Sequence, residues 1–140
     1  MVGRESPSSP SIDMDTARMT LGKRGEDKAC EFLAAKGQTI LERNHRSGHL
    51  EIDIISLDAR GLHFVEVKSR VAPASTPPEE NVGASKRKKI AAAANRYLAG
   101  TKNALVNKDI EVNFDIVAVT FDGEKVDVGY FPNAWYPIFV

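Results

Sequence analysis

Two runs of β-branched and aromatic residues, separated by only four residues, constrain the fold of this chain most. They are LEIDIISL at 50–57 and LHFVEVKS at 62–69. Each run has the length of an ordinary buried strand and is rich in the residue types that strands favour. The residues between them include Gly61, which suits a short turn. The pattern therefore predicts a β-hairpin over 50–69.

The register of this hairpin decides which charged residues meet. A turn closed by Leu57 facing Leu62 places Asp53 directly opposite Glu66. Opposed carboxylates repel one another, and both interrupt apolar strands, where an unpaired charge is costly. A divalent cation between them would offset that cost, because Mg²⁺ prefers carboxylate, water and phosphate oxygens. Asp53 and Glu66 are therefore predicted to bind Mg²⁺ or Mn²⁺.

Three further charged residues lie near this predicted metal site. Lys68 follows Glu66 on the same face, where its ammonium would stabilise charge at phosphorus during phosphodiester cleavage. Glu51 faces Lys68, which favours a cross-strand ion pair and gives Glu51 a supporting role. Glu26 points inward from a predicted helix. It either joins the site as a metal-binding and catalytic group or simply interacts with the helix dipole.

The rest of the chain predicts two helices and three further strands, in the order α, β, β, β, α, β, β. This order is typical of an α/β domain with a mixed sheet of four or five strands flanked by helices. The elements outside the hairpin are a helix over 21–36 capped by Thr20 and ended by Gly37, a strand over 39–41, a helix capped by Ser85 and ended by Gly100, and strands over 112–121 and 124–131 joined at Asp122-Gly123.

Length and composition indicate one globular domain. The chain has 140 residues, of which 42% are hydrophobic and 27% charged, as in ordinary globular proteins. Residues 1–16 are rich in Ser and Pro and predict a flexible tail before a single domain over 17–140. No apolar stretch reaches the roughly 18 residues that a membrane span needs, so we expect a cytoplasmic protein. Cys30 is the only cysteine and is predicted to be a core thiol.

The positive charge is concentrated in one segment, although the formal net charge is zero. Residues 81–108 contain seven Lys or Arg and no Asp or Glu. A charge run is commonly a solvated helix start, but basic residues oppose the helix dipole there, and phosphate contact would explain them. The predicted partner is nucleic acid, most simply DNA. The predicted contacts are Lys86, Arg87, Lys88, Lys89 and Arg70.

These motifs together resemble the PD-(D/E)XK nuclease superfamily, and specifically the bacterial YraN-like family, which is similar to archaeal Holliday junction resolvases. The resemblance runs from about Leu21 to Val119. Leu50 and Asn113 stand where the family usually has Gly and Arg. The motifs that carry it are G-x-x-G-E at 22–26, I-L-E-R-N at 40–44, E-I-D at 51–53, F-V-E-V-K at 64–68, Lys86 with its basic neighbours, and F-D-I-V-A-V at 114–119.

The resemblance implies a restriction-endonuclease-like core and a Mg²⁺-dependent endonuclease that hydrolyses phosphodiester bonds in DNA, branched DNA included. It implies Asp53 and Glu66 as metal ligands and Lys68 as the catalytic cation. Glu26 corresponds to the helical glutamate that often completes the metal site.

Two other functions stay open on the sequence. One is a non-catalytic nucleic-acid-binding module of the same fold. The other is a structural homodimer that uses an apolar C-terminal tail, which otherwise closes the core; its residues are Trp135, Tyr136, Ile138 and Phe139.

Two further kinds of polar residue have open or minor roles. Asp115 interrupts an apolar strand, and a structural hydrogen-bonding role is at least as good an explanation as catalysis. The three histidines, His45, His49 and His63, form no zinc pattern and are predicted to be exposed.

Overall fold

The computed structural model describes residues 14–73 and 83–135 and folds them into two helices and one five-stranded sheet. The order of the elements is the predicted one. The elements are α1 (Met14–Ala35), β1 (Thr39–Ser47), β2 (Leu50–Asp58), β3 (Gly61–Val71), α2 (Ala84–Gly100), β4 (Val112–Asp122) and β5 (Lys125–Phe131).

The sheet is mixed, with strand order β1-β2-β3-β4-β5. Strands β3 and β4 are parallel, and the other neighbours are antiparallel. Helix α2 lies in the connection between β3 and β4, because parallel neighbours need a long crossover. The predicted α/β fold with a mixed sheet flanked by helices is confirmed, and it is consistent with a restriction-endonuclease-like core.

The two helices pack on opposite faces of the sheet, because side chains along the central strands alternate in direction. On β3, Val65 packs in one cluster with Ala29 of α1, whereas Phe64 packs in another cluster with Ile90 of α2. All four side chains are buried. Residues of β3 therefore belong alternately to an α1 side and an α2 side.

The predicted starts of both helices were wrong. Helix α1 begins at Met14, so Thr20 lies inside the helix and does not cap it. Residues 14–19 contain no Gly or Pro, so no residue in that segment stops the helix. Helix α2 begins at Ala84 after an extended Gly83, one residue before the predicted cap Ser85.

Two strand boundaries also differ from the prediction. Strand β1 continues to Ser47, well beyond its predicted end at residue 41. The extension is mostly polar, which suits an edge strand, so hydrophobic pattern alone did not reveal it. The β4–β5 turn consists of Gly123 and Glu124, with Asp122 paired to Lys125, and is one residue further along than predicted.

The β2–β3 hairpin follows the predicted register from its turn only as far as Ile54 and Val65, where the ladder ends. Asp53 and Glu66 lie one residue beyond that end. The prediction that they face each other within the ladder was therefore wrong. We call the region just beyond Ile54 and Val65 the strand split.

Helix α1 lies directly on β3 because Gly25 has no side chain. A Cβ atom at Gly25 would stand 1.7 Å from Oγ of Ser69 and 2.7 Å from its Cβ. The helix backbone thus approaches the strand more closely than any other residue type would allow. The contact fixes the height of the next helical residue, Glu26, above the sheet.

The described C-terminal residues close the α2 side of the core. Trp135 is buried, and its ring centroid lies 4.5 Å from that of Phe114. The rest of the predicted apolar tail, Tyr136, Ile138 and Phe139, lies outside the described residues, as do residues 1–13 of the predicted N-terminal tail. Neither helix in the described ranges has the length and apolar character needed to span a bilayer.

Candidate functional site

A cavity of about 570 Å³ lies between α1 and the strand split. Two predicted site residues, Glu26 and Asp53, line it together. Asn44 of β1, Glu51 of β2 and Val67 of β3 complete much of its wall. The cavity therefore gathers residues from the helix and from three neighbouring strands.

Asp53 reaches across the strand split. Its Oδ2 accepts a hydrogen bond of 2.8 Å from the backbone N–H of Val67. The carboxylate thus replaces a main-chain acceptor of the interrupted ladder and lies between the two strands. Burial, and next the neighbouring charge of Glu66, raise the pKa of Asp53 to about 7. In the absence of a cation, Asp53 is therefore partly protonated near neutral pH.

Glu26 is buried and is held in place by β1. Its Oε1 accepts hydrogen bonds from Nε and Nη2 of Arg43, at 3.1 and 2.9 Å, and from Nδ2 of Asn44 at 2.9 Å. Arg43 also donates to Asp27 at 2.6 Å. The predicted inward orientation of Glu26 is confirmed. Its charge contributes to the raised pKa of Asp53.

Glu66 points away from this cavity, toward α2. Its Oε2 accepts a hydrogen bond of 2.5 Å from Nζ of Lys86. Lys68 is two residues further along β3 and alternates onto the same side. The structure thus brings Glu26 and Asp53 into one cavity and places Glu66 and Lys68 on the adjoining α2 side of the split. Glu66 still lies close enough for its charge to act on Asp53.

The predicted ion pair between Glu51 and Lys68 was wrong. Glu51 instead pairs with Arg46 of β1 at 3.7 Å, and these two residues face each other in the β1–β2 ladder. The reason is that the β2–β3 ladder has already ended at this position. Glu51 lines both the large cavity and a narrow void beside Glu66. It therefore marks the place where the two sides of the split meet.

The predicted nucleic-acid contacts lie mostly on the first turns of α2. Lys86, Lys88 and Lys89 are exposed there, and Arg87 is half-buried. Helix α2 has no acidic residue in its first turn, and its N-cap residue, Gly83, has no side chain to accept hydrogen bonds from the first backbone N–H groups. Arg70 lies apart from them on β3 and donates from Nε to Oγ1 of Thr120 at 3.3 Å.

The chemistry of the donors at the split suits a hard divalent cation. Asp53 and Glu66 offer only carboxylate oxygens, and Mg²⁺ usually takes one or two protein carboxylates together with water and phosphate oxygens. Within 14–73 and 83–135, no three His, Cys, Asp or Glu side chains are grouped closely enough to hold a metal by themselves. A cation here would therefore depend on water and substrate oxygens for the rest of its coordination.

Known sequences show the family of this chain. A profile described as "Uncharacterised protein family UPF0102" matches residues 25–119. The chain belongs to the UPF0102 family. A UPF0102 protein of Anaeromyxobacter dehalogenans is 40% identical over 118 residues, which cover 84% of this chain and 85% of the relative. UPF0102 proteins of Syntrophotalea carbinolica and Chlorobium limicola are 38% and 41% identical, over 87% and 81% of this chain and 96% and 85% of their own lengths.

The UPF0102 match confirms the resemblance to the YraN-like family and includes the residues described above. It begins at Gly25, so the close contact of α1 with β3 falls within the matched region. Glu26, Asp53, Glu66 and Lys68 fall there as well.

A second polar cluster in this UPF0102 chain is buried near the start of β3. His63 Nδ1 lies 2.6 Å from Oδ2 of Asp115, and its Nε2 lies 2.8 Å from Oδ1 of Asp58. The hydroxyl of Tyr130 donates to Asp115 Oδ2 at 2.6 Å, and the backbone N–H of Asn133 donates to Oδ1 at 2.9 Å. Asp115 therefore connects β3, β5 and the chain after β5. The prediction that His63 is exposed was wrong.

Sequence reasoning missed the residues that hold Glu26 and Asp53. Asn44 has a φ of 53°, and asparagine is one of the few residues other than glycine that enter this region, so its identity was a usable signal of left-handed backbone in β1. Arg43 and Asn44 also belong to the I-L-E-R-N motif at 40–44, but that motif gave neither residue a role. The donor from Val67 is a backbone N–H, which leaves no trace in a sequence.

Proposed function

We propose that this chain is a metal-dependent nuclease of the PD-(D/E)XK type, similar to archaeal Holliday junction resolvases, which hydrolyses phosphodiester bonds in DNA, branched DNA included. The observation that carries the proposal is the arrangement of Glu26, Asp53 and Glu66 around the strand split. Each carboxylate comes from a different element, α1, β2 or β3. A domain selected for stability alone gains nothing from gathering such charges in a partly buried place.

The residues at the split divide the proposed chemistry between them. Asp53 and Glu66 would hold Mg²⁺ or Mn²⁺, and Glu26, fixed beside Asp53, would complete or orient that site. A bound cation would activate water and neutralise charge on the phosphate. Lys68 would stabilise the negative charge that develops on the phosphoryl group in the transition state. The basic start of α2 would bind the DNA backbone.

The test is cleavage of single-stranded, duplex and four-way-junction DNA in the presence of Mg²⁺ or Mn²⁺. We expect Asp53→Asn and Glu66→Gln to abolish cleavage and to weaken Mn²⁺ binding. We expect Lys68→Met to keep Mn²⁺ and DNA binding but to slow cleavage by about 100-fold or more. Lys125→Met, at the exposed start of β5, is the matched control and should cleave like the wild type.

Two results would overturn the nuclease proposal. Equal cleavage by the wild type and by Asp53→Asn would show that a contaminating nuclease is responsible. Calorimetry that detects no Mn²⁺ binding to the wild type would remove the metal on which the chemistry depends.

One observation favours a second function, a non-catalytic nucleic-acid-binding module of the same fold. Glu66, a proposed metal ligand, already has a basic partner in Lys86. A permanent ion pair there would leave the basic helix able to bind DNA without metal chemistry. Salt-dependent DNA binding by the wild type, with the same affinity in Mg²⁺ and in EDTA and with no cleavage, would support this alternative.

The cellular setting of the activity stays a prediction. We expect the protein in the cytoplasm, where it would have access to cellular DNA. The sequence left two roles open for the apolar tail, closing the core and forming a homodimer. Trp135 is buried in the core of its own chain, which favours the first role for this residue. A homodimer would therefore have to form through other residues.

A further inference from the structure

A basic groove lies between α2 and the turn that joins β1 to β2. Its volume is about 710 Å³, and Lys86, Lys89 and Arg96 of α2 line it together with His49 of the turn. Arg96 donates from Nε to Oγ of Ser47 at 2.7 Å, which holds the guanidinium against the turn. The groove is therefore a shaped, cationic surface and not simply a row of solvated lysines.

The chemistry of this groove suits the phosphate backbone of a nucleic acid. No acidic side chain is found among the described residues that line it. Lys86 and Lys89 are one helical turn apart, and Arg96 continues the same lining two turns later. The first turn of α2 has no acidic side chain to offset the helix dipole, and the dipole favours an anion there.

Lys86 belongs both to this groove and to the strand split. It lines the groove, while its Nζ donates to Oε2 of Glu66 at 2.5 Å. The Lys86 side chain is 46% exposed, whereas that of Glu66 is 15% exposed. The lysine is thus the more accessible partner, and a ligand in the groove can reach it without entering the split. A phosphate in the groove would therefore compete with the Glu66 carboxylate for the same ammonium group.

We propose that Lys86 couples DNA binding in the groove to metal binding at the split. In the free protein Lys86 neutralises Glu66; a DNA phosphate in the groove draws the ammonium away and leaves Glu66 available to the cation. The inference rests on the proposed function, since it takes Glu66 as a metal ligand. Coupling between two binding sites is reciprocal, so a cation on Glu66 also releases Lys86 to the phosphate.

The first experiment measures Mn²⁺ affinity by calorimetry in the absence of DNA. Lys86→Met removes the competitor for Glu66, so this variant should bind Mn²⁺ about two- to fivefold more tightly than the wild type, which is the strength of a partly exposed ion pair. Lys102→Met is the matched control. Lys102 is exposed just after α2, does not line the groove and is not one of the predicted DNA contacts, so its loss should leave Mn²⁺ affinity unchanged.

The second experiment measures binding of a labelled single-stranded DNA oligonucleotide in EDTA by fluorescence anisotropy. Lys86→Met should bind DNA more weakly and reduce the slope of log affinity against log salt by about 1. Glu66→Gln should bind DNA more tightly, because Lys86 is released. The gain in DNA affinity from Glu66→Gln should be smaller when Lys86→Met is also present. If Glu66→Gln acted only by removing a negative charge, the gain would be the same with and without Lys86→Met.

The outcomes separate this inference from the proposed function. If Asp53→Asn weakens Mn²⁺ binding but Lys86→Met binds Mn²⁺ no more tightly than the wild type, the coupling is overturned and the metal site stands. If neither the wild type nor Lys86→Met binds Mn²⁺, both are overturned. Lys86→Gln, checked by circular dichroism, serves as a second variant should the methionine disturb the helix.

Discussion

The backbone N–H of Val67 donates a hydrogen bond of 2.8 Å to Oδ2 of Asp53, just beyond the last backbone pair of β2 and β3. This bond favours the ionised carboxylate. Burial and the charge of Glu66 outweigh it, so the pKa of Asp53 rises to about 7. In the absence of a cation, the split is therefore an electrostatically unfavourable place in an otherwise apolar sheet.

Asp53→Asn should remove a pH-dependent loss of stability. An acid whose pKa is higher in the folded state opposes folding increasingly as the pH rises from its unfolded to its folded pKa, here from 3.8 to about 7. The wild type should lose up to about 4 kcal/mol across that window through this group. The amide keeps an acceptor for Val67 but carries no charge. In EDTA, the stability difference between variant and wild type should therefore grow with pH.

Urea unfolding across this pH window measures the difference. The control is Asp122→Asn, an exposed carboxylate at the β4–β5 turn, which should follow the wild type. Mg²⁺ should then stabilise the wild type and the control but not Asp53→Asn. Parallel curves for the wild type and Asp53→Asn would contradict the raised pKa.

Local sequence signals predicted the order of the elements and the turn end of the hairpin. The runs that became β2 and β3 have strand composition, and the four-residue spacing sets Leu57 against Leu62. The split was not predictable in the same way. It depends on competition between the Asp53 carboxylate and a main-chain acceptor for the N–H of Val67, and periodicity carries no information about that competition.

The partners of the site residues were hidden for a different reason, sequence distance. Glu66 is paired with Lys86 twenty positions away, and Glu26 with Arg43 seventeen positions away. Alternation correctly assigned Glu66 and Lys68 to one face of β3, but it could not say which helix covers that face. Such pairings follow from the packing of α1 and α2 on the sheet.

Gly25→Ala should destabilise the fold by about 1 to 3 kcal/mol, the usual cost of forcing extra volume into a packed contact. The added Cβ would stand 1.7 Å from Oγ of Ser69 and 2.7 Å from its Cβ, so rotation of the hydroxyl is not enough and α1 or β3 has to shift as well. Gly22→Ala is the matched control, because its Cβ would meet no atom within 4 Å. That control should stabilise the helix by up to about 1 kcal/mol.

The double variant Gly25→Ala/Ser69→Gly tests the cause of this loss. Without the Ser69 side chain, the nearest atom to the new Cβ is the Ser69 Cα at 3.7 Å. The substitution at Gly25 should therefore cost less in the Ser69→Gly background than in the wild type. Thermal or urea unfolding gives the comparison, and equal costs in the two backgrounds would disprove a steric origin.

Arg43→Met should destabilise the fold by about 1 to 3 kcal/mol, because it leaves the buried carboxylate of Glu26 with a much weaker partner. This cost is smaller than that of breaking a fully buried ion pair, because the Arg43 side chain is 37% exposed. Arg46→Met is the matched control. Its side chain is 78% exposed, and its ion pair spans 3.7 Å, so its loss should cost less than about 0.5 kcal/mol. Adding Glu26→Gln to Arg43→Met should recover stability; a further additive loss would show that Arg43 acts through packing alone.

His63 should stabilise the fold on the acid side of neutrality. Burial lowers the pKa of His63, but hydrogen bonds to Asp115 and Asp58 outweigh burial and raise it above the ordinary value of 6.5. A raised histidine pKa stabilises the folded state fully below the unfolded pKa, and that stabilisation is lost as the pH rises through the folded pKa. The pKa of Asp58 is lowered, so its contribution is lost in the opposite direction, as the pH falls below its ordinary value of 3.8.

The His63 contribution is lost at high pH and the Asp58 contribution at low pH. The cluster should therefore stabilise the fold most between about pH 4 and pH 6.5. The stability gap between the wild type and His63→Gln should therefore be widest in that range and narrow as the solution becomes alkaline. Exposed His49→Gln should show no such gap. Because Asp53 also disfavours folding as the pH rises, both proteins of the pair should carry Asp53→Asn, which removes that contribution from the comparison. A gap that stays constant with pH would mean that His63 contributes shape and hydrogen bonds but no charge.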